Sequence, residues 1–278
     1  MSISKDSAVP NEQGAALDLE ARAAERSETP AWLRIIRLFW PYAQVLLPIV
    51  LIISFVLTLV AVDGTSMMPT LRTGERVVLL KYEAWLHRWG VGQFKRGDIL
   101  VFDPPEGASG QVRILGLWNA TPSLIKRLIG LPGDRVRIQK GVVYLNNQAL
   151  EQDFTVDFWK KQGCWQTTAR PLERDVANNA DPNYTDGRER TVPPGEYFLM
   201  GDNRSPGGSL DSRSFGTVSQ NKILGRAAGV LWPFVRQVQA TDTCRGNDKT
   251  SVKLSGAVQG NWRVLSRPQA FKNLESLR

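Results

Sequence analysis

An uncharged run of 25 residues, Leu38 to Val62, constrains this chain more than any other feature. About 20 apolar residues in a helix cross a bilayer, whereas a cleaved signal peptide has an apolar core of roughly 7 to 15 residues nearer the N-terminus. The run starts too late and is too long for a signal peptide. We therefore predict a transmembrane helix, with Trp32, Trp40 and Tyr42 at the level of the lipid headgroups.

The flanks of this run predict orientation and domain boundaries. Basic residues lie at both ends, with a slight excess before the run that favours a cytoplasmic N-terminus. We predict a mobile polar tail over 1–30, an aromatic-flanked anchor over 31–62, an extracytoplasmic domain over 63–235 and a C-terminal tail of unknown role over 236–278. The polar, turn-rich stretch 146–190 is interpreted as an insertion or small second domain.

Composition narrows the class of partner. A net charge of +8 and a pI near 9.7 suit contact with acidic phospholipid or nucleic acid. The basic residues are dispersed and form no nucleic-acid-binding motif, so we predict a phospholipid bilayer and no nucleic acid. Cys164, Cys244 and His87 are too few for a structural zinc site, and we predict no metal or cofactor. Whether the two cysteines form a disulfide stays open.

Short apolar runs between Gly and Pro turns predict a mainly β fold. The segments that carry this pattern are Glu75–Tyr82, Ile99–Phe102, Ser123–Ile129, Arg135–Gln139, Val142–Leu145, Pro194–Met200 and Ile223–Trp232. The aromatic-rich stretch Lys81–Phe94 fits either a half-buried surface element or an edge that dips into a membrane. Residues 151–190 are predicted to be loop-like.

Ser66 and Lys126 are the candidate catalytic residues. Ser66 comes four residues after the apolar run, and Pro69 disfavours helical geometry just before it, so we expect Ser66 on an extended segment. Alone, this serine also fits a stiff exit loop. Lys126 lies among apolar residues, and burial that lowers its pKa by roughly 2 to 3 would make it a general base. A lysine that snorkels to water is the alternative.

Five segments resemble the bacterial type I signal peptidases, which are membrane-bound serine proteases. They are Ser66–Leu71 (SMMPTL), Arg96–Phe102 (RGDILVF), Ile125–Asp134 (IKRLIGLPGD), Gly201–Arg204 (GDNR) and Ser209–Arg213 (SLDSR). The resemblance covers roughly residues 31–235. It implies a single transmembrane helix before a β-rich catalytic domain that removes signal peptides from secretory preproteins. The implied location is the inner membrane, with that domain on the periplasmic side or in a thylakoid lumen.

The resemblance also assigns roles by position. Ser66 would be the nucleophile, Lys126 the general base and Ser209 the hydroxyl that orients the lysine amine, with Asp211 and Arg213 as a supporting ion pair. Ser205 is an alternative to Ser209, because the loop between them is longer than in well-known members. Gly64 stands where some members have a serine that assists the oxyanion hole. Substrates would carry small residues before the cut, and the side chains predicted to form their pockets are Val62, Met67, Leu71 and Ile125.

Three other interpretations compete with this one. A Ser-His-Asp triad would need His87, which lies among aromatic and charged residues typical of packing or surface positions. Ser123 and Lys126 fit a Ser-x-x-Lys pattern, but that pattern requires a helix, whereas this segment is predicted to be a strand. The third is a non-catalytic, membrane-anchored binding protein of the same fold.

Overall fold

A computed structural model of the chain describes residues 30–105, 112–114, 118–139, 141–163, 187–205, 207–242 and 252–276. Two compact units meet in sequence at Ile52 and Ile53. Cys164 and Cys244, with the open question of their disulfide, lie outside the described residues, as do the predicted tail up to residue 29 and most of the predicted insertion.

The first unit contains helix α1 (Ala31–Leu51), which continues into a π-helical turn, Ile52–Val56. Trp32–Val56 is long and apolar enough to cross a membrane, and none of its residues is buried by protein. An apolar helix without a protein partner is suited to lipid. The prediction of one N-terminal apolar helix is confirmed for the described part of the chain.

The helix ends earlier than predicted. Leu57–Ala61, the end of the uncharged run, forms strand β1, and it pairs antiparallel with Arg76–Leu80, which is β2. Thr58 and Val60 are half-buried while their neighbours are exposed, which is the two-residue period of a strand. An apolar run alone does not distinguish a membrane helix from a strand that follows it.

The remaining elements complete a mainly β unit. The further strands are β3 (Ile99–Phe102), β4 (Val112–Ile114), β5 (Trp118–Ala120), β6 (Leu124–Gly130), β7 (Arg135–Gln139), β8 (Val142–Leu145), β9 (Gln148–Ala149), β10 (Arg190–Thr191), β11 (Glu196–Met200), β12 (Val218–Ser219), β13 (Ile223–Trp232), β14 (Val235–Asp242), β15 (Val252–Gly260) and β16 (Arg263–Val264). The helices are α2 (Lys81–Arg88), α3 (Asp153–Lys161), α4 (Ser212–Phe215) and α5 (Gln269–Ser276). The predicted mainly β fold is confirmed.

The large sheet has the order β1-β2-β13-β3-β6-β11-β12, and β16 also pairs with β13. A second sheet has the order β10-β7-β8-β9, while β14 pairs with β15 and β4 with β5. Strand β6 lies between β3 and β11, so both of its edges are hydrogen-bonded. Its residues from Lys126 to Gly130 are buried, which places Lys126 in the middle of the folded unit.

Two predicted segments have more structure than expected. In the segment 236–278, β16 joins the large sheet and Phe271 of α5 is fully buried, so the described part of this segment belongs to the folded unit rather than to a tail. In the segment expected to be loop-like, α3 buries Thr155, Val156 and Trp159. Three buried positions in nine residues give too short a periodic pattern to recognise among polar neighbours.

Candidate active site

Ser66 lies in a turn that runs to Thr70, not on the extended segment that we predicted. The Met68 N–H donates to the Thr65 carbonyl at 3.0 Å, and the Leu71 N–H donates to that of Met67 at 2.9 Å. Gly64 precedes the turn with φ of 96°, a conformation that side chains with a Cβ rarely adopt. The restriction that Pro69 imposes applies to Met68 alone, which is why it did not predict the backbone of Ser66.

Strand β6 brings Lys126 to this turn. The Lys126 Nζ donates to the Ser66 Oγ at 2.7 Å, across 60 residues of sequence. The exposed fraction is 2% for Lys126 and 8% for Ser66. The two residues selected from the sequence therefore form a buried, hydrogen-bonded pair.

Burial lowers the pKa of Lys126 from 10.5 to about 8 because the ammonium is removed from water. The carboxylate of Asp211 opposes this shift and the guanidinium of Arg213 adds to it. With a pKa near 8, roughly one molecule in ten carries a neutral amine at pH 7. A neutral amine in contact with a hydroxyl can accept its proton.

Asp211 and Arg213 form the predicted ion pair, with Arg213 Nη2 2.7 Å from Asp211 Oδ2. The same carboxylate accepts the Gly201 N–H at 2.8 Å. Burial alone would raise the pKa of Asp211, but the charge and hydrogen bonds of Arg213 outweigh it and lower the pKa to about 2. The carboxylate is therefore ionised, and it ties the two ends of the loop 201–213 together.

Ser209 lies beside this pair but does not form the hydrogen bond to Lys126 that the resemblance implies. Within the described residues its buried Oγ has no hydrogen-bond partner by geometry, although it lies near enough to Asp211 to contribute to the low pKa of that carboxyl. A Cβ at Gly201 would lie 2.1 Å from the Ser209 Oγ and 2.5 Å from the Ser66 carbonyl oxygen. Ser209 and the Ser66 backbone therefore both pack so closely against Gly201 that no side chain would fit there. The alternative residue, Ser205, already donates its hydroxyl to Asn203.

The four residues predicted to form substrate pockets belong to one hydrophobic cluster. Val62, Met67 and Leu71 are buried inside it, where they pack against Ile99 and the middle of β13. Ile125 is only half-buried. Of the four, Ile125 alone therefore exposes part of its apolar side chain, whereas the other three belong to the buried core around the turn.

Ser123 and His87, the alternative nucleophile and base, form hydrogen bonds to other groups. The Nδ1 of His87 is 3.1 Å from the Gly92 carbonyl oxygen, and its Nε2 is 3.0 Å from the Tyr197 hydroxyl. Ser123 donates its hydroxyl to Asp103 at 2.9 Å, and Lys126 is in a strand rather than a helix. Neither a His87 triad nor a Ser123 nucleophile fits these contacts.

Sequence reasoning assigned no role to Asp202, which is fully buried next to the dyad. Its carboxylate accepts two hydrogen bonds from Arg127, at 2.8 and 2.5 Å, and one from the Thr70 hydroxyl at 2.5 Å. The following N–H, of Asn203, donates to the Ser66 carbonyl at 2.9 Å. Asp202 and Arg127 both lie in segments that carry the resemblance, which was the available signal.

The described residues contain no cluster of three or more His, Cys, Asp or Glu side chains arranged to hold a metal ion. The family model described as "Signal peptidase, peptidase S26" matches residues 33–232. This chain belongs to the signal peptidase S26 family.

Two Bacillus relatives agree with this assignment. Signal peptidase I of Bacillus caldolyticus is 30% identical over 70% of this chain and 90% of its own length. That of Bacillus licheniformis is 32% identical over 69% and 85%. A crystal structure of a signal peptidase I from Enterococcus faecalis V583 also matches, with 26% identity and a TM-score of 0.30, over 49% of this chain and 97% of that one.

Membership in the signal peptidase S26 family identifies the activity. The chain is a serine peptidase that removes signal peptides from secretory preproteins. This conclusion does not favour the alternative of a non-catalytic binding protein. As a signal peptidase with an N-terminal apolar helix, it has the organisation expected of an enzyme anchored to a membrane.

Proposed function

We propose that this signal peptidase cleaves preproteins with a catalytic dyad of Ser66 and Lys126. The observation that carries the proposal is the 2.7 Å contact between the Lys126 Nζ and the Ser66 Oγ in a buried setting. Burial lowers the pKa of Lys126 to about 8, so its neutral form is accessible near neutral pH. Such a lysine can replace the histidine of other serine proteases.

The dyad would act in two steps. Neutral Lys126 takes the Ser66 proton as the Ser66 Oγ attacks the scissile carbonyl, and the resulting ammonium gives that proton to the leaving amine. Water then enters and loses a proton to Lys126 as it attacks the acyl carbonyl; the ammonium returns that proton to the departing Ser66 Oγ, which frees the acid product and restores the neutral amine. Because the amine must be neutral at the start of each step, the acid limb of kcat/KM is expected to follow a single group with a pKa of about 8.

The oxyanion formed in these steps requires hydrogen-bond donors. Within the described residues, no backbone carbonyl accepts a hydrogen bond from the Ser66 N–H. This N–H is therefore available to the substrate oxygen, which is the use that a preorganised donor has in acyl transfer. Gly64 offers no hydroxyl, so we assign the oxyanion site to the Ser66 N–H and a neighbouring donor.

Ser209 is proposed to orient the lysine amine during turnover. Its hydroxyl is buried, makes no hydrogen bond of good geometry to the described groups and lies against Gly201 next to the Ser66 backbone. When the Ser66 Oγ bonds to the substrate, Lys126 loses its present partner. The Ser209 hydroxyl can then take that place, while the pair of Asp211 and Arg213 keeps the loop in position.

We also propose that the residue before the cut must be small. Ile125, which precedes Lys126 in β6, has a half-buried apolar side chain. Val62, Met67 and Leu71 pack densely beneath the turn and leave little space for the pocket to deepen. A preprotein with Ala before the cut should therefore be cleaved much faster than one with Leu, and equal rates would contradict this restriction.

The catalytic unit is proposed to work at the surface of the inner membrane, with the N-terminus cytoplasmic and the unit on the periplasmic side or in an equivalent lumen. Lys81 donates to the carbonyls of Ile53 and Ser54, and the rings of Phe55 and Trp85 are 5.8 Å apart. These contacts connect α2 to the residues that end the apolar helix. Among the described residues of the unit, the most exposed aromatic side chains are Trp89 (75%), Trp262 (70%) and Phe234 (64%), which suits contact with a phospholipid bilayer.

Single substitutions in the full-length enzyme test the dyad. Ser66→Ala and Lys126→Ala are each expected to abolish cleavage of a preprotein in detergent while the thermal unfolding transition is kept. Ser123→Ala, which removes a hydroxyl from the same strand region, is the matched control and should stay active. An active Lys126→Ala enzyme would contradict the assignment.

A further inference from the structure

The catalytic loop is held from outside by one face of helix α3. Three buried side chains with hydrogen-bonding atoms lie along this face: Thr155 and Trp159 in the helix and Gln152 at its N-cap. They follow the three- and four-residue spacing of a helical stripe. All three contact the segment 202–204. The hydroxyl of Thr155 donates to the Asp202 carbonyl oxygen, and the Trp159 Nε1–H donates to the same oxygen at 2.9 Å.

Asp202, to which this carbonyl belongs, connects the segment of Ser66 to the strand of Lys126. On the side of Ser66, the next backbone N–H, of Asn203, donates to the Ser66 carbonyl. On the side of Lys126, the Asp202 carboxylate pairs with Arg127, the next residue in β6. A shift of Asp202 would therefore move the nucleophile and the base relative to each other.

The same helix face supports the turn directly. Trp159 is fully buried and packs in one cluster with Met68, two residues after Ser66, and with Ala240 of β14. Gln152 accepts a hydrogen bond from Arg204, which itself donates to the Gly201 carbonyl at 2.9 Å. These contacts leave the loop little freedom on the side away from the substrate.

We propose that Thr155 and Trp159 are positioning residues that set the Ser66–Lys126 geometry by fixing the Asp202 carbonyl. They touch neither the substrate nor the reacting atoms, so their action is on the dyad through the backbone. The inference rests on the proposed dyad. It extends the catalytic machinery to a helix in a segment that the sequence pattern marks as a loop.

Thr155→Val tests the proposal because valine keeps the shape of threonine and removes its hydroxyl. Misplacement of reacting groups by fractions of an ångström to 1 Å lowers rates by roughly 10- to 100-fold, so we expect kcat to fall by about tenfold with KM nearly unchanged. The acid limb of kcat/KM should also move to higher pH, since a loosened pocket admits water to the amine. Thr155→Ser keeps the hydroxyl and should restore most of the lost rate.

Trp159→Phe is the second variant, because it removes the indole N–H and keeps an aromatic ring; the same fall in kcat and shift of the acid limb are expected. Ile138→Val, in the hydrophobic cluster of the second sheet, controls for loss of stability and should leave both readouts unchanged. If Trp159→Phe and Thr155→Val match Ile138→Val in kcat and acid limb, or if Thr155→Ser is as impaired as Thr155→Val, the positioning role is wrong. Ser66→Ala in the same series separates the two proposals, because turnover by that variant would contradict the dyad itself.

Discussion

Lys126 and Arg127 follow each other in β6, and their side chains leave the strand on opposite faces. Both are buried, with exposed fractions of 2% and 1%. Arg127 meets the carboxylate of Asp202 at 2.5 Å and donates to the Gly97 carbonyl at 2.8 Å. Lys126 meets a neutral hydroxyl, and no carboxylate of the described residues lies within salt-bridge distance of it.

The difference separates two uses of a buried cation. A charge that is paired and hydrogen-bonded keeps its proton and stabilises the local structure, provided that both partners stay in place. A charge that is buried without a partner costs free energy, and the group responds by becoming neutral more easily. One strand therefore carries a structural cation and a chemical one at adjacent positions.

The largest effect on turnover is expected when Lys126 is replaced by a residue that is always positively charged. Lys126→Arg should reduce turnover by more than about a thousandfold, because a guanidinium stays protonated near neutral pH and cannot act as a base. Cleavage of a preprotein at pH 7 and at pH 9 measures this. If the Arg variant is active at either pH, the chemical role of the cation is refuted.

Removal of the partner charge should expose the structural role of Arg127. Asp202→Asn leaves a buried guanidinium without its carboxylate and should lower the free energy of unfolding by about 3 to 5 kcal/mol. Glu83→Gln is the matched control, because it breaks an ion pair with Arg226 that is less buried. The exposed fraction of the side chain is 27% for Arg226 and 21% for Glu83. That loss should stay within about 1 kcal/mol. Equal losses in denaturant titrations would remove the distinction between the two sites.

A neutral residue in place of Lys126 should stabilise the protein. The pKa of this lysine is about 8 in the folded state and near 10.5 in the unfolded state, so the folded state bears the cost of the charge at every pH below 8. Lys126→Met should therefore raise the free energy of unfolding by about 3 kcal/mol at pH 7, and the gain should disappear as the pH rises from 8 to 10.5. Exposed Lys222→Met is the control. A gain that does not depend on pH would point to packing instead.

The smallest effect is expected at the single histidine. His87 contacts Gly92 and Tyr197 rather than either member of the dyad. His87→Gln keeps polar atoms for these contacts and should leave kcat/KM and its acid limb nearly unchanged. Loss of activity without loss of the folded state would mean that a second base takes part.

The sequence predicted those features that depend on residues close together in the chain. Alternation and turn residues identified strands such as β6, β7 and β13, and motif order identified Ser66 and Lys126. Arg127 and Asp202 are 75 residues apart in the sequence. A pair so far apart produces no periodic pattern of residues, so the sequence could not reveal it. The same holds for Phe271, whose burial depends on contact with the second sheet.

The site was predicted less completely than the fold class. The ion pair of Asp211 and Arg213 was expected, and it is present. The expected bond from Ser209 to Lys126 is absent, and the amine donates to Ser66 instead. The turn at Ser66 depends on hydrogen bonds between residues 65 and 71, which a preference of one proline does not determine.

Strand β1 has a practical consequence for anyone who shortens this protein. The uncharged run ends at Val62, so Asp63 is the natural place to cut the anchor away on sequence grounds. That cut would also delete Leu57–Ala61, the edge strand of the large sheet, and β2 would become the edge. Val77 and Leu79 of β2 are core residues, and an uncovered hydrophobic edge strand templates aggregation. A shortened chain that begins before Leu57 should therefore stay monomeric in solution, whereas one that begins at Asp63 should precipitate.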